Sequence, residues 1–387
     1  MIISILKIIE IIALAGTCTS LAYYLLSVWS AVKFLQSVKP SGGGDSPSIS
    51  ILKPLKGTDP EMYESFRSHC LQNYPREYEI IFGVSDSDDP AFALVQRLQA
   101  EFLRIPIRVV VCKKNLGNNT KVSNLAQMLA EARYDYLIVN DSDIRVPPDY
   151  LLSVTGRLTD AGTGLVTCLY RGMASPTLGS RLESLGISTD FCPGVLTAWQ
   201  LEGGISFGLG STLALRRADL AAIGGFEAIA DYLADDYELG HRIAALGRKI
   251  ELSETVVETF LPAYSLTEFI AHQLRWARAI HDSRPGGYFG LLFTFGLPWG
   301  VLAVLASHGK AWAWALLGLT AIMRGAMAWT VGKRVLNDPQ VTHWMWLLPL
   351  RDFLAALIWL ASFFGHTVSW RGDSFRLESG RLVRVDR

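Results

Sequence analysis

The chain has 387 residues, half of them hydrophobic, and its 36 basic residues are matched by 36 acidic ones. A net charge of zero supplies no long-range field toward nucleic acid, which excludes that class of partner. A mean hydropathy of +0.25 with 11 Trp is too apolar for an ordinary soluble domain, and the excess sits toward the two ends.

Ile11 to Val32 is a run of 22 residues without a charge, long enough at ~1.5 Å per residue to span a bilayer. It exceeds the apolar core of a signal peptide and no clear small-residue cleavage site follows it. A retained anchor over residues 1–38 is therefore expected. Residues 39–47, with three consecutive glycines flanked by prolines, read as a flexible linker and domain boundary.

From 48 to 262 strand and helix signals alternate. Strands are expected at 48–52, 79–84, 107–111 and 136–139, and helices at 61–71, 91–102 and 122–132. This alternation predicts an α/β domain with a mostly parallel sheet and right-handed crossovers. Tyr136–Val139, apolar on both faces, reads as a central strand. In such sheets ligands bind beyond the carboxyl ends of the strands. Three of those ends carry polar chemistry here: Lys53-Pro54-Leu55-Lys56-Gly57, Asp86-Ser87-Asp88-Asp89 and Asp141-Ser142-Asp143.

The last of these is the most informative. Strand periodicity of two is expected to put Asp141 and Asp143 on one face. Adjacent carboxylates repel unless a cation joins them. Mg²⁺ or Mn²⁺ takes such oxygens and carries a nucleotide diphosphate in its remaining positions; the plain alternative is a loop of solvated acids. Asp86 ends a buried strand and suits a hydrogen bond to a base or ribose. A helix-capping role there would be filled better by Asp88 or Asp89. Lys121 and Asn124 follow the turn Gly117-Asn118-Asn119-Thr120, whose free N–H groups suit an anion. A lysine in a first helical turn opposes the helix dipole, so Lys121 is expected to have an anionic partner. Asp235-Asp236 precedes a helical pattern reaching Ala245. One of the pair is read as a general base for an acceptor hydroxyl, against the alternative that both favour the helix N-terminus. Gly224-Gly225-Phe226 reads as the turn presenting them.

Ser265 to Ser283 reads as an amphipathic helix opened by a Ser265/Glu268 capping box. Leu266, Phe269, Ile270, Leu274, Trp276, Ala277 and Ile280 share one arc, opposite Arg275 and Arg278, and such a helix is expected to lie along a membrane interface. Three more apolar runs follow: Tyr288–Ser307, Ala311–Gly332 with Arg324 as its one charge, and Asp352–Trp370. Buried core helices are the alternative to spans. The five cysteines are scattered with no C-x-x-C pair, suggesting neither a zinc site nor a disulfide framework.

The residues now become recognisable. Ile51-Leu52-Lys53-Pro54-Leu55-Lys56-Gly57-Thr58-Asp59-Pro60, the Asp88-Asp89-Pro90 turn and Asp141-Ser142-Asp143-Ile144-Arg145-Val146 resemble the ceramide glucosyltransferase family, over about 48–285 and more weakly to Trp370-Arg371-Gly372. The resemblance implies a GT-A fold, a UDP-sugar donor, inversion, and a pattern of three separate aspartates followed by (Q/R)xxRW. Carried over, the aspartates are Asp86, Asp141 with Asp143 completing D-x-D, and Asp236 as base. The last motif falls on Arg275 and Trp276. Position 272, Gln or Arg in the pattern, is His272, and Asp143 stands where animal members typically have glycine, which is similar to the bacterial branch that includes hopanoid-modifying enzymes.

The expectation is thus a multi-pass membrane enzyme with domains at 48–262 (catalytic), 263–286 (interfacial helix), 287–370 (spanning helices) and 371–387 (basic tail). Asp86, Lys53, Lys121, Asn124, His272, Arg275 and Trp276 would hold the donor, Asp143 with Asp141 a Mg²⁺ or Mn²⁺ ion, and Asp236 the acceptor's proton. The acceptor would be a membrane lipid, ceramide or hopanoid. Rivals are a processive polysaccharide synthase, a polyprenyl-phosphate sugar transferase and an inactive scaffold. Lys33, Lys333, Arg334 and Arg351 fit a catalytic domain in the cytoplasm, and the resemblance to the bacterial branch implies a bacterial inner membrane. Four full spans would put the tail outside, whereas its five arginines argue for inside.

Overall fold

The computed structural model describes residues 2–37, 46–370 and 373–384. Most of the expected linker, and Arg371 and Gly372 of the last sequence signature, lie outside the described residues.

The chain opens with helix α1 (Ile2–Ser37). Strand β1 (Ile49–Pro54), α2 (Met62–Cys70), β2 (Tyr78–Val84), α3 (Ala91–Glu101), β3 (Ile107–Val111), α4 (Thr120–Leu129) and β4 (Tyr136–Val139) follow in the expected alternation. Then come β5 (Ile144–Arg145), α5 (Tyr150–Leu158), β6 (Thr163–Met173), α6 (Leu178–Gly186), a π turn at Ile187–Phe191, and α7 (Cys192–Glu202). Next are β7 (Leu213–Arg216), α8 (Arg217–Ala222), α9 (Asp235–Ala245), β8 (Lys249–Phe260) and α10 (Leu266–Ser283). The helices α11 (Pro285–Gly290), α12 (Gly296–Ala306), α13 (Ala311–Ala328), α14 (Pro339–Trp344) and α15 (Leu348–Ser362) precede β9 (Thr367–Trp370), β10 (Asp373–Glu378) and β11 (Arg381–Arg384).

These elements form two compact units. One holds residues up to 37, 174–201 and 263–372; the other holds 38–173, 202–262 and 373–387. The second unit is built on an eight-stranded sheet of order β3-β2-β1-β4-β7-β6-β8-β5. β1 pairs in parallel with both β2 and β4, so the strand order reverses at β1 and the carboxyl ends of β1 and β4 flank the switch point, where α/β sheets take their ligands. β7 runs antiparallel to both β4 and β6. The strands bury Ile49, Ile51, Leu52, Ile80, Ile81, Phe82, Leu137, Ile138 and Val139 completely, which is why the central ones read as continuous apolar runs.

The other unit is helical. Among the described residues three helical stretches have the length and composition to cross a membrane: Ile5–Ser37, Ala311–Val335 and Pro339–Ser362. The run Tyr288–Ser307 is not a straight span. It is a pair, Pro285–Thr294 and Gly296–Ala306, bent by 55°. Pro298 lies in the first turn of the second piece, where it cannot continue a helix from before. Gly296 is held at the break by Tyr24, whose hydroxyl donates to the Thr294 carbonyl (3.0 Å) and accepts from the Gly296 N–H (3.1 Å). The last span also shifts: it begins at Pro339 and ends at Ser362, and Thr367–Trp370 is a strand rather than the end of a helix. Residues 178–201, expected inside the catalytic domain, pack with this unit, as the Ser27–Thr197 hydroxyl pair (2.9 Å) and the Phe34–Trp199 edge contact show.

A buried charge explains the lone arginine of the third run. Arg324 binds both carboxylate oxygens of Asp352 (2.8 and 2.9 Å), Asp190 (2.6 Å) and the Thr189 carbonyl (3.0 Å). α10 carries its expected capping box. Its Phe269 packs with Leu182, Leu185, Val341, Leu347 and Ile358, while Leu266, Ile270 and Ile280 stay exposed. Within the expected basic tail, β10 and β11 form an antiparallel hairpin that belongs to the sheet-bearing unit. With the bent pair counted as one broken span, the described residues hold four candidate crossings, and with it counted as a re-entrant loop, three.

Candidate active site

The site is built at the β1/β4 switch point from four segments of the sheet-bearing unit. Asp141 and Asp143 lie past the end of β4, in a turn closed by the Ile144 N–H on the Asp141 carbonyl (3.4 Å). A turn, not strand alternation, places the two carboxylates. The turn is tied down from below. Asn140 donates to the Ser211 carbonyl (2.7 Å) and to Tyr150 (3.0 Å), Ser142 bonds Asp59, and the fully buried Lys53 donates to the Asp141 carbonyl (2.9 Å). Burial pushes the Lys53 ammonium down to about 7, against Asp143 and Asp141, which favour its charge. Lys53 thus braces the D-x-D turn from inside the fold rather than facing a donor.

Asp143 accepts from the Thr259 hydroxyl on β8, and burial followed by the nearby Asp141 charge pushes its carboxyl up to about 6. Asp141 keeps a half-open side chain and receives Lys121 (2.8 Å). Lys121 also holds Asp235 (3.0 Å), so the anionic partners expected for it are carboxylates of the protein itself. Burial works against its charge, but Asp141, Asp235 and Asp236 outweigh burial and push its pKa up. The N–H groups of the preceding turn are likewise used internally, Asn118 on Asp231 (2.9 Å) and Asn119 on the Ala230 carbonyl (2.7 Å).

Asp236 lies in the first turn of α9. Its carboxylate accepts from the Gly210 N–H (2.8 Å) and its own neighbour's N–H at Tyr237 (2.8 Å). Burial, then the Asp235 charge, pushes it up to about 6. That value suits a base which must be ionised near neutrality yet still take a proton. Gly210 was not singled out in the sequence, although Gly208-Leu209-Gly210 signals a close backbone approach. A side chain there would begin 3.2 Å from one oxygen of Asp141 and 3.2 Å from one of Asp236. The two carboxylates therefore face one small space, kept clear by the missing Cβ.

The other expected residues fall differently. Asp86 is exposed at the end of β2, with one oxygen on the Asp88 N–H (3.1 Å). The N-cap of α3 is Pro90, and Asp89 just before it accepts from the first helical N–H, that of Ala91 (2.9 Å). Asn124 is buried and bonded to Ser85 (3.2 Å), an internal role. His272, Arg275 and Trp276 belong to the helical unit. There His272 lies 3.4 Å from the buried Glu183, stacks on Tyr264 (5.3 Å) and touches Trp276 (5.4 Å), which meets Phe191.

Among the described residues no three His, Cys, Asp or Glu side chains gather as a metal cage. The fit to a hard divalent cation rests on two carboxylates, Asp141 and Asp143, each with an oxygen not engaged by a hydroxyl. Mg²⁺ characteristically takes one or two carboxylates plus substrate phosphates, so this donor set fits. Burial first, and then the neighbouring Asp141 charge, raises the pKa of Asp143, and a bound cation would offset the like-charge part.

Fold and site together define a GT-A-type glycosyltransferase with membrane helices. The solved mannosyltransferase PcManGT from Pyrobaculum calidifontis, in complex with GDP-Man and Mn²⁺, shares this fold: TM-score 0.55 and 20% identity, covering 92% of this chain and 99% of that one. The model of glycosyl transferase family 21 matches residues 12–383, and the chain belongs to that family. Ceramide glucosyltransferase 1 of Caenorhabditis elegans is 22% identical, with 98% of this chain and 82% of that protein aligned. Ceramide glucosyltransferase 3 of the same organism is 24% identical, at 98% and 83%.

Proposed function

We propose that the enzyme transfers a sugar from a UDP-sugar to the hydroxyl of a membrane lipid, with inversion at the anomeric carbon. The observation that carries this reading is the pair of carboxylates, Asp141 and Asp236, facing one space across Gly210 at the switch point. Asp236 accepts the proton of the lipid hydroxyl as that oxygen attacks the anomeric carbon from the side opposite UDP. The Gly210 and Tyr237 N–H groups hold the carboxylate in place for this step. Asp143 and Asp141 would hold Mg²⁺ or Mn²⁺, which, when bound, offsets the charge of the leaving diphosphate. Lys121 keeps Asp141 oriented and separates it electrostatically from Asp235 and Asp236. The exposed Asp86 takes the uridine end. For His272, Arg275 and Trp276, assigned to the diphosphate or the acceptor, the support is the sequence pattern.

Ceramide is the acceptor class suggested by the names of the relatives; Asp143 in place of glycine favours a hopanoid as the second reading and, with it, a bacterial inner membrane, and the basic residues around the spans favour a cytoplasmic catalytic unit. The experiment is Asp236→Asn: sugar transfer should fall by about 10²–10⁴-fold, as for loss of a general base, while UDP binding persists. Normal turnover by that variant would remove Asp236 from the role. Mass spectrometry of lipids from cells with and without the gene would identify sugar and acceptor.

A further inference from the structure

The segment that carries the base reaches α9 without regular structure of its own. Its backbone groups need partners, and they find them at the far end of the chain. The Leu233 N–H donates to the Gly380 carbonyl (3.1 Å), and the Leu382 N–H donates to the Asp231 carbonyl (2.7 Å). Between these bonds Tyr232 forms an antiparallel bridge with Arg381. The Arg381 guanidinium lies over the Tyr232 ring (5.2 Å to its centroid) and donates to its hydroxyl (3.2 Å). The same hairpin reaches the turn that carries Lys121: the Asn118 amide donates to the Leu382 carbonyl (2.8 Å). Asn119 closes the circuit by donating to the Tyr232 carbonyl (2.8 Å) and approaching Asp235 (3.4 Å).

The hairpin is built to present this edge. Ser379 and Gly380 both have positive φ, 52° and 81°, in a two-residue connection between Glu378 and Arg381, the arrangement that matches strand twist in a tight hairpin. Phe375, Leu377 and Leu382 are buried, whereas Arg376, Glu378 and Arg384 are exposed.

We propose that the C-terminal hairpin, residues 373–384, is a positioning element of the active site, and that Arg381 is a positioning residue that fixes the Asp231–Asp236 segment through Tyr232. The inference rests on the reading of Asp236 as the base. It makes a hairpin that follows α15 in the chain part of the machinery that sets the geometry of proton transfer.

The test compares full-length wild type, Arg381→Ala, Arg381→Lys and a chain ending at residue 372, all purified in detergent micelles. Amide exchange is read across residues 230–236, with kcat and donor KM measured alongside. Arg381→Ala is expected to speed exchange at Leu233 about tenfold and to lower kcat by a similar factor, with donor KM changed less than twofold and the thermal midpoint retained. Arg381→Lys, keeping a cation over the ring, should recover most of both. The truncated chain should show the larger effect on exchange. Unchanged exchange at 230–236 in both Arg381→Ala and the truncated chain overturns the proposal, whatever activity does. Faster exchange with unaltered kcat overturns it as well. A wild type that transfers no sugar to lipid, with the exchange effect intact, would instead count against the reading of the site as a glycosyltransferase centre.

Discussion

Asp236 shows how a single carboxyl is tuned by its place. Burial and Asp235 raise its pKa to about 6, while two N–H groups hold it in position. Its basic form is the ionised one, so the sign is fixed. With the base needed unprotonated, kcat/KM should fall tenfold per pH unit below about 6 and be level above it. A pH–rate profile checks this, and an acid limb that survives in Asp236→Asn would assign the titration elsewhere. Gly210→Ala is the complementary test. The new methyl would begin 3.2 Å from both Asp141 and Asp236, in the space a reacting group needs. Turnover should drop on the order of 100-fold, as expected for an ångström-scale displacement, with the thermal midpoint little changed. Wild-type kcat in that variant would show that the space is not where reaction occurs. Removal of divalent cations by a chelator should abolish transfer, and Mg²⁺ or Mn²⁺ should restore it.

At the scale of elements, the first and last parts of the site are held by bonds between segments far apart in the chain. Lys121 at the start of α4 ties the β4 turn to the start of α9. α9 itself packs on the 207–208 backbone through Gly240, where a Cβ would lie 2.2 Å from the Gly208 nitrogen. In the helical unit the strong tie is electrostatic. Arg324 on α13 joins Asp352 on α15, both buried, and the partly exposed Asp190 in the π turn. Removing one partner of such a pair strands a buried charge, at a cost of about 3–5 kcal/mol, whereas replacing both by apolar residues is far milder. Arg324→Leu should therefore lower the thermal midpoint in detergent strongly, and Arg324→Leu with Asp352→Leu should recover much of it. Equal losses in the single and double variants would mean that the pair does not act as a unit.

For the whole molecule, the hairpin sets the topology. Since residues 373–384 belong to the unit that holds residues 48–173, the chain is expected to return to its starting side after α10. Ala311–Val335 and Pro339–Ser362 are long and apolar enough for two crossings, and the expected outcome is that the pair bent by 55° is a re-entrant loop rather than a broken span. Accessibility labelling should place the C-terminus and the 39–47 linker on the same face of the membrane. Labels on opposite faces would require an odd number of crossings and would contradict the docking of the hairpin. This parity was invisible in hydropathy, which counts apolar residues and cannot see a bend at Phe295.

What the sequence determined on its own was local or periodic. The strands at 107–111 and 136–139, the capping box of α10, the anchor helix and the D-x-D motif were all legible, because a two- or 3.6-residue repeat and short polar motifs are properties of neighbours along the chain. The tertiary structure alone decided who meets whom. Lys53 and Asn124, at strand and helix positions that face a donor in the sequence, turn inward because the polar backbone and side chains beneath the site must be satisfied. Gly210 gains its importance only because Asp141 and Asp236 approach it from segments nearly a hundred residues apart. The terminal hairpin meets the Asp231–Leu233 segment largely through backbone hydrogen bonds, which carry no side-chain signature, and its Arg381–Tyr232 contact joins residues 149 apart, beyond the reach of any local pattern.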